Sequence, residues 1–514
     1  MVLCSRPSPE IKFEGGCSLR EREYLKQRYS LIASSVGKIL LCSGLVMLLP
    51  LLVLPSFPED AIAARSFWLP AVCLFLLGFA LHKRFRCPSD IPLTIQEGGI
   101  IVLLSWVVVI LFSAWPFASA LNLAYSRALF ESVSGWTTTG LSVVDVTQAG
   151  KMILIWRSII QFAGGAGWAI IMMSAISGPV GVGISSAEGR SDQLVPHVRR
   201  SARLVLAIYI CYAIVGIVAY WAAGMSYFDA VNHSFAAVST GGFSTRVESI
   251  GYWDSPAIEA ISLPLMILGN LSFVTAWFIW SGRFRTAARN GEVRLLALII
   301  LIASSALFIL TCRTIYPQLG KSVRVAVFET VTAITTTGFS TVGYGNWNAF
   351  GLFLMIIMMM IGGGTCSTAG GIKQFRVYLL WRMICREIRR HIMPGAAVVE
   401  CPVWEGDKRV FLDDTRMRHV LVFISLYIAT YLLGVLILCG CGYTLSDSLF
   451  EFASALGTVG LSVGVTSASM ADTALWTMII AMLLGRLEFI VVIVSMMKIF
   501  SDCRQLMSKT LKSG

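Results

Sequence analysis

Four segments of this 514-residue chain end an apolar run in the same Thr/Ser/Gly cluster around one glycine. They read Ser134-Gly-Trp-Thr-Thr-Thr-Gly140-Leu-Ser142, Ala237-Val-Ser-Thr-Gly-Gly242-Phe-Ser-Thr245, Ala333-Ile-Thr-Thr-Thr-Gly338-Phe-Ser-Thr341 and Ala455-Leu-Gly-Thr-Val-Gly460-Leu-Ser462. Such residues offer oxygen ligands rather than acid–base or nucleophilic groups. Short Thr/Gly stretches can turn backbone carbonyls inward, and rings of carbonyls replace the water around a bare cation. One Thr-Gly run also makes an ordinary turn. Four of them, about a hundred residues apart, form an internal repeat and point to an ion filter.

Three further groups of residues bear on the same chemistry. An aromatic–acid pair precedes each cluster: Phe130-Glu131, Phe228-Asp229, Phe328-Glu329 and Phe450-Glu451. A carboxylate in a first helical turn complements the helix dipole, whose negative end then points toward the cluster. Phe and glycine stand ten residues apart in three of the units and fourteen in the second, for which an extra helical turn is expected. The run Gly362-Gly363-Gly364-Thr365-Cys366-Ser367-Thr368-Ala369-Gly370-Gly371, with Lys373 beyond it, should break a spanning helix, which is tolerable only beside an aqueous path. Close helix packing through small residues is the other reading, and it explains Gly164-Gly-Ala-Gly167 equally well. Arg486, within Leu484-Gly-Arg-Leu-Glu488, lies inside an apolar run. A charge there either lines a water path or pairs with an acid on another helix. The thirteen cysteines show no paired spacing, and neither a His-Glu-x-x-His motif nor a phosphate-binding Gly-rich loop occurs. Enzymatic chemistry is not indicated.

The elements that must position these residues are membrane helices. Hydrophobic residues make up 56% of the chain and charged ones 14%, far from a soluble balance. Apolar stretches long enough to span a bilayer lie at about 36–56, 67–82, 98–119, 152–178, 202–224, 256–281, 293–312, 348–370, 418–442 and 473–497. Four shorter ones, at 126–137, 226–239, 324–335 and 446–457, read as re-entrant helices. The net charge of +12 is concentrated in the arm, the tail and alternate loops. This positive-inside pattern puts both termini in the cytoplasm and removes the case for nucleic-acid binding. The expected organisation is a cytoplasmic arm (1–35), two leading helices (36–97), units at 98–190, 191–290, 291–392 and 417–500, a cytoplasmic linker (393–416) and a tail (501–514). The fold class is an all-α polytopic membrane protein, its four pseudo-symmetric units surrounding one central pore.

Four linked helix–short helix–cluster–helix units, one glycine per cluster, resemble the Trk/Ktr/HKT superfamily of potassium transporters over about 98–500. The two leading helices favour its bacterial TrkH/TrkG branch. The resemblance implies a potassium filter built by Thr138, Thr139 and Gly140; Thr240, Gly241 and Gly242; Thr336, Thr337 and Gly338; and Thr458, Val459 and Gly460. A serine at the first filter glycine goes with sodium permeation in plant members, and all four positions here are glycine. Leu141 and Leu461 replace the usual Phe, and Val459 lacks a hydroxyl, although its main-chain carbonyl remains. Gly362 to Lys373, through Ser-Thr-Ala-Gly-Gly-Ile-Lys, resembles the intramembrane gate of the family. Arg486 matches an arginine that projects into the pore below the filter and slows cations. The resemblance further implies a homodimer in a bacterial inner membrane and cytoplasmic nucleotide-binding subunits like TrkA docking near Arg376 to Arg418. It implies no tightly bound cofactor, with potassium itself in the filter. The competing reading is a proton- or sodium-coupled carrier with alternating access.

Overall fold

The computed structural model describes residues 17–85, 93–167, 198–394, 402–405, 408–411 and 414–510. In a lipid interior every backbone polar group must be paired within the protein, so long apolar stretches become helices. Six helices among the described residues are long and apolar enough to cross a membrane without interruption: Glu23–Val53, Pro58–Arg84, Gln96–Ala120, Arg203–Ala222, Gly291–Ile315 and Asp414–Gly440. These are the two leading helices and the first, outer helix of each unit.

The second, inner helix of each unit is different: the third breaks at its glycine run as expected, whereas the stretches at 256–281 and 473–497, expected as unbroken spans, need correction. In the first unit Lys151–Ala166 ends at Gly167, whose φ is 79°; residues 168–178 of the expected stretch lie outside the described residues. In the second, Pro256–Asn270 and Phe273–Trp280 meet at a bend of 116°. In the third, Ala349–Ile361 stops after 13 residues at Gly362. In the fourth, Asp472–Leu487 and the helix beginning at Phe489 meet at 101° across Glu488, whose φ is 64°. Among the described residues, every inner helix therefore ends or bends shortly after passing its own Thr/Gly cluster. Gly164, Gly269 and Gly485 set the approach: a Cβ on any of them would run into the carbonyl of Trp136, Val238 or Leu456, at the end of the short helix of the same unit.

The four short helices are Tyr125–Trp136, Tyr227–Val238, Leu319–Ile334 and Leu445–Leu456. Ser226 and Thr444 cap two of them, accepting from the backbone N–H of Asp229 (3.0 Å) and Asp447 (3.2 Å), as N-cap hydroxyls do. The all-α expectation also needs one amendment. Within 393–416, Pro402–Glu405 pairs antiparallel with Lys408–Phe411 in a two-stranded ribbon, while residues 395–401, 406–407 and 412–413 lie outside the described residues, as do 1–16 of the arm and 511–514 of the tail.

The leading pair packs through reciprocal glycines. A Cβ on Gly37 would sit 2.7 Å from the Gly78 carbonyl, and one on Gly78 would sit 2.7 Å from that of Gly37, the close approach that small residues permit between membrane helices. The pair is tied to the repeat by buried polar contacts. Arg28 forms a two-pronged ion pair with Glu97, and Tyr29 donates to Asp502 on the last helix at 2.9 Å.

Candidate functional site: a ring of four Thr-x-Gly turns

Each short helix ends in the same way. The N–H of Thr139, Gly241, Thr337 and Val459 returns to the carbonyl of Ser134, Ala236, Thr332 and Ser454 at 2.8–2.9 Å. The residue just before each, Thr138, Thr240, Thr336 or Thr458, bonds back to Gly135, Ala237, Ala333 or Ala455. These are Schellman closures, and they put the intervening residue in the left-handed region. That position usually belongs to glycine, yet here it is a threonine four times over, with φ of 56°, 51°, 52° and 51°. Gly140, Gly242, Gly338 and Gly460 follow two residues later with φ of 89°, 74°, 82° and 103°. Left-handed residues flanking one outside that region are able to turn successive carbonyls to one side, as rings of carbonyls that replace a cation's water require.

The four turns close on each other in chain order. A Cβ added to Gly140 would collide with the carbonyl of Gly241; Gly242 faces that of Thr337 in the same way, Gly338 that of Val459, and Gly460 that of Thr139. Each glycine is thus needed twice, for its backbone angle and for the neighbouring carbonyl lying against its Cα. On the side of the segments that follow the turns, a cavity of about 730 Å³ opens over all four glycines.

The acids hold those segments in place. Glu131 is buried and accepts from Ser142, from the Val143 N–H and from Arg157 at 2.7 Å. Glu329 accepts from Thr341 and Tyr344, and Glu451 from Ser462, Val463 and Thr466. The assignment of these carboxylates to first helical turns is corrected for three units, since Glu131, Glu329 and Glu451 lie well inside their helices. The second unit has no extra turn either: Tyr227–Val238 has 12 residues, as do the first and fourth short helices. Counted back from the glycine, the counterpart of the three glutamates is His233, and its Nε2 lies 2.9 Å from the Ser244 hydroxyl. Asp229, one turn earlier, takes the next two residues instead, accepting from Thr245 and Arg246. Alignment on the glycine rather than on Phe would have revealed His233 in the sequence.

On the opposite side of the ring lies the glycine-rich segment. Gly364 donates to both the carbonyl and the side chain of Asn270 (3.1 Å each), Thr365 N–H to Glu292 (3.0 Å), and Thr368 Oγ1 to the Gly269 carbonyl (2.9 Å). The segment is thereby stitched into the break of the second unit's inner helix. Its middle meets all four left-handed threonines. The Thr138 hydroxyl is 3.5 Å from the Thr368 carbonyl, Thr240 and Thr368 share a hydrogen bond of 3.0 Å between hydroxyls, and Gly370 N–H donates to the Thr336 hydroxyl at 2.9 Å. A side chain on Gly370 would strike the Thr458 hydroxyl. Gly362, Gly371 and Lys373 have φ of 68°, 79° and 81°, and Gly363 N–H closes the segment on the Gly370 carbonyl at 2.9 Å. The Ser367 hydroxyl donates to the Gly364 carbonyl at 2.6 Å.

Arg486 reaches the same place. Its guanidinium donates to the Thr368 carbonyl at 2.5 Å and to those of Gly164 and Gly165 at 2.6 and 3.2 Å. It therefore bridges the glycine-rich segment and the first unit's inner helix. Glu488 pairs instead with Arg376 at 2.5 Å, and Lys373 Nζ donates to the Ala369 carbonyl at 2.5 Å. A pocket of about 20 Å³ remains among Cys366, Lys373, Arg486 and Glu488, room for little more than one water. The cavity opens on one face of the ring, and the glycine-rich segment lies against the other.

Residues 71–504 match the family model described as TrkH, cation transport protein. The chain is 33% identical over 469 residues to the Trk system potassium uptake protein TrkG of Escherichia coli (strain K12), covering 88% of this chain and 94% of that protein. It is 30% identical over 481 residues to TrkH of the same organism, at 90% and 97% coverage. An uncharacterized cation transporter of Methanocaldococcus jannaschii is 30% identical over 480 residues, covering 92% of this chain and 96% of that one. The crystal structure of the potassium transporter TrkH from Vibrio parahaemolyticus superposes with a TM-score of 0.80 at 30% identity, over 91% of this chain and 98% of that one.

Proposed function

The chain belongs to the TrkH family of cation transport proteins, and on that premise we propose that it takes up potassium as the membrane subunit of a Trk-type system. It is a transport protein and not an enzyme. The observation that carries the reading is the closed ring of four Thr-x-Gly turns, each glycine set against the carbonyl of the next unit. Main-chain oxygens of Thr138 to Gly140, Thr240 to Gly242, Thr336 to Gly338 and Thr458 to Gly460 coordinate the dehydrated ion. The glycine-rich segment from Gly362 to Lys373 gates it, since its Thr368 and Gly370 sit against the filter threonines. Arg486 adds a fixed positive charge to that face and holds the gate through the Thr368 carbonyl. The subunit is a homodimer in the inner membrane with both termini in the cytoplasm, and the basic stretch from Arg376 to Arg418 docks nucleotide-binding regulatory subunits.

The test is ion flux by the purified full chain in proteoliposomes. Potassium uptake that follows its electrochemical gradient, with sodium discriminated against and no proton movement in fixed ratio, is expected. Uptake that saturates and moves protons or sodium stoichiometrically would replace the channel-like mechanism by coupled carriage. Failure to move potassium at all would overturn the substrate.

A further inference from the structure

The filter segments are held in their turns by different means: the first and third share one, the fourth, with Val459 behind the Gly457 cap, lacks it and instead has the Gly460 N–H donating to the Ser454 hydroxyl at 3.0 Å, and the second is held from outside its own unit. In the first and third, the hydroxyl of the middle residue bonds to the hydroxyl of the helix-capping threonine: Thr139 to Thr137 at 2.7 Å and Thr337 to Thr335 at 2.8 Å. Both capping hydroxyls also donate to a helix carbonyl one turn back, Val133 and Val331, at 2.7 Å. In the second segment the middle residue is Gly241, which has no side chain to do this.

The space is filled from another unit. Gln161, fully buried on the first unit's inner helix, donates through Nε2 to the Gly241 carbonyl at 2.5 Å and accepts from the Phe243 N–H through Oε1 at 3.2 Å. The nearest atoms that a Cβ on Gly241 would meet are Cδ, Oε1 and Nε2 of this same carboxamide, at 2.5–2.8 Å. Glycine at 241 and glutamine at 161 are therefore complementary: a side chain on the one would occupy the space of the other's carboxamide. Three residues before the packed glycines of the second and fourth inner helices, where Gln161 precedes Gly164, stand Met266 and Met482. Both are buried, and thioethers cannot donate to a carbonyl.

We propose that Gln161 is a positioning residue of the second filter segment, supplying from the neighbouring unit the hold that Thr139 and Thr337 provide within their own. The inference rests on the reading of these segments as the filter. The carboxamide uses both of its polar ends on one turn, fixing the direction of the Gly241 carbonyl and the height of Phe243. A carbonyl has two lone pairs, so one stays available to an ion while the other is engaged. The second quadrant thus has its carbonyl aimed by a donor outside its own unit, and selectivity depends on a residue outside the Thr/Gly repeat.

The experiment is a double-substitution cycle in the full-length protein, with potassium, rubidium and sodium fluxes measured in proteoliposomes and folding checked by thermal melting in detergent. Gln161→Met keeps volume and removes both bonds. It should lower the potassium-to-sodium ratio about fivefold, the size of one net hydrogen bond, whereas a purely structural role would move the melting temperature and leave the ratio alone. Gly241→Thr alone should lose most flux through collision with the carboxamide. Gln161→Ala/Gly241→Thr should regain flux and ratio, because the new hydroxyl finds room and recreates the arrangement of the first unit. A wild-type ratio in folded Gln161→Met, or a double variant no better than Gly241→Thr, overturns the proposal. If Gln161→Met does not fold, the second pair of variants decides alone. Gly140→Ser is run in parallel: should it too leave the ratio unchanged, the filter reading itself falls, whereas a changed ratio there beside an unchanged one in Gln161→Met removes only the role of Gln161.

Discussion

Threonine at the left-handed positions 138, 240, 336 and 458 is the residue-scale oddity of this protein, because β-branched side chains are outliers there. Such conformations cost about 1–3 kcal/mol each and persist where the surroundings over-determine them. The surroundings here are the Schellman closure on one side and the glycine-rich segment at Thr368 and Gly370 on the other, while Thr138 and Thr240 turn their hydroxyls back onto the preceding carbonyls at 2.7 Å. Gly140 is constrained in the same manner, so Gly140→Ser meets both an unfavourable φ and the Gly241 carbonyl. Its potassium-to-sodium flux ratio should fall about tenfold, the equivalent of ~1.4 kcal/mol; an unchanged ratio in folded protein would remove Gly140 from the filter. Arg486 makes a second residue-scale prediction. A cation passing about 4 Å from a unit positive charge meets a barrier of about 4 kcal/mol at an effective dielectric near 20, and the same side chain holds the Thr368 carbonyl. Arg486→Ala should raise basal potassium flux at least tenfold with selectivity preserved. Flux equal to the parent protein's in a stable variant would place Arg486 off the ion path.

Among the elements, the glycine-rich segment stands out because it touches every unit of the ring while belonging to one. Gly370 has no room for a side chain: a Cβ there would lie 2.6 Å from the Gly457 carbonyl and nearer still to the Thr458 hydroxyl. Gly370→Ala should push the segment off the threonine ring and raise flux in the absence of regulatory subunits, leaving ion preference unchanged. A fall in flux together with altered preference would mean that the segment supports the filter rather than closing it. Thr365 rests on Glu292 through its backbone N–H at 3.0 Å and its hydroxyl at 2.5 Å, so Glu292→Gln, which keeps the shape and weakens both bonds, should loosen the gate in the same direction. Parallel gains of flux in the two variants, measured in the same vesicles, are the expected result. The short helices carry a different lesson: three lie within a residue of their apolar stretches at either end, the third starts earlier, at Leu319, and has 16 residues, and the unit-to-unit correspondence runs through His233 rather than Asp229.

For the whole molecule, the leading pair of helices acts as a clamp on the two ends of the repeat. Arg28 meets Glu97 at the start of the first unit, and Tyr29 meets Asp502 beyond the last. Removing one partner of a buried ion pair leaves an uncompensated charge and costs about 3–5 kcal/mol. Arg28→Gln should therefore lower the melting temperature of the purified protein clearly, while Arg28→Gln/Glu97→Gln, which retains a side chain able to serve the Thr94 cap, should recover most of the loss. If the double variant melts no higher than the single, the pair contributes by shape and not by charge.

What could be read from the chain alone depends on local chemistry. Apolar length set the outer helices and three of the four short ones, and the glycine-rich run from Gly362 to Gly371 announced its own break. The Thr/Gly repeat marked the twelve positions that form the ring of turns, because turn geometry and carbonyl exposure are properties of a few consecutive residues. Partners distant in the chain decided the rest. The inner helices at 256–281 and 473–497 looked continuous, since a bend of 116° or 101° comes from what packs into the break and not from loss of hydrophobicity. Arg486 was legible as a charge within an apolar run, but its bonds to Thr368 and Gly164 were not. Nothing near Gln161 in the chain hints at Gly241, because the space its carboxamide fills exists only once the first two units have closed side by side.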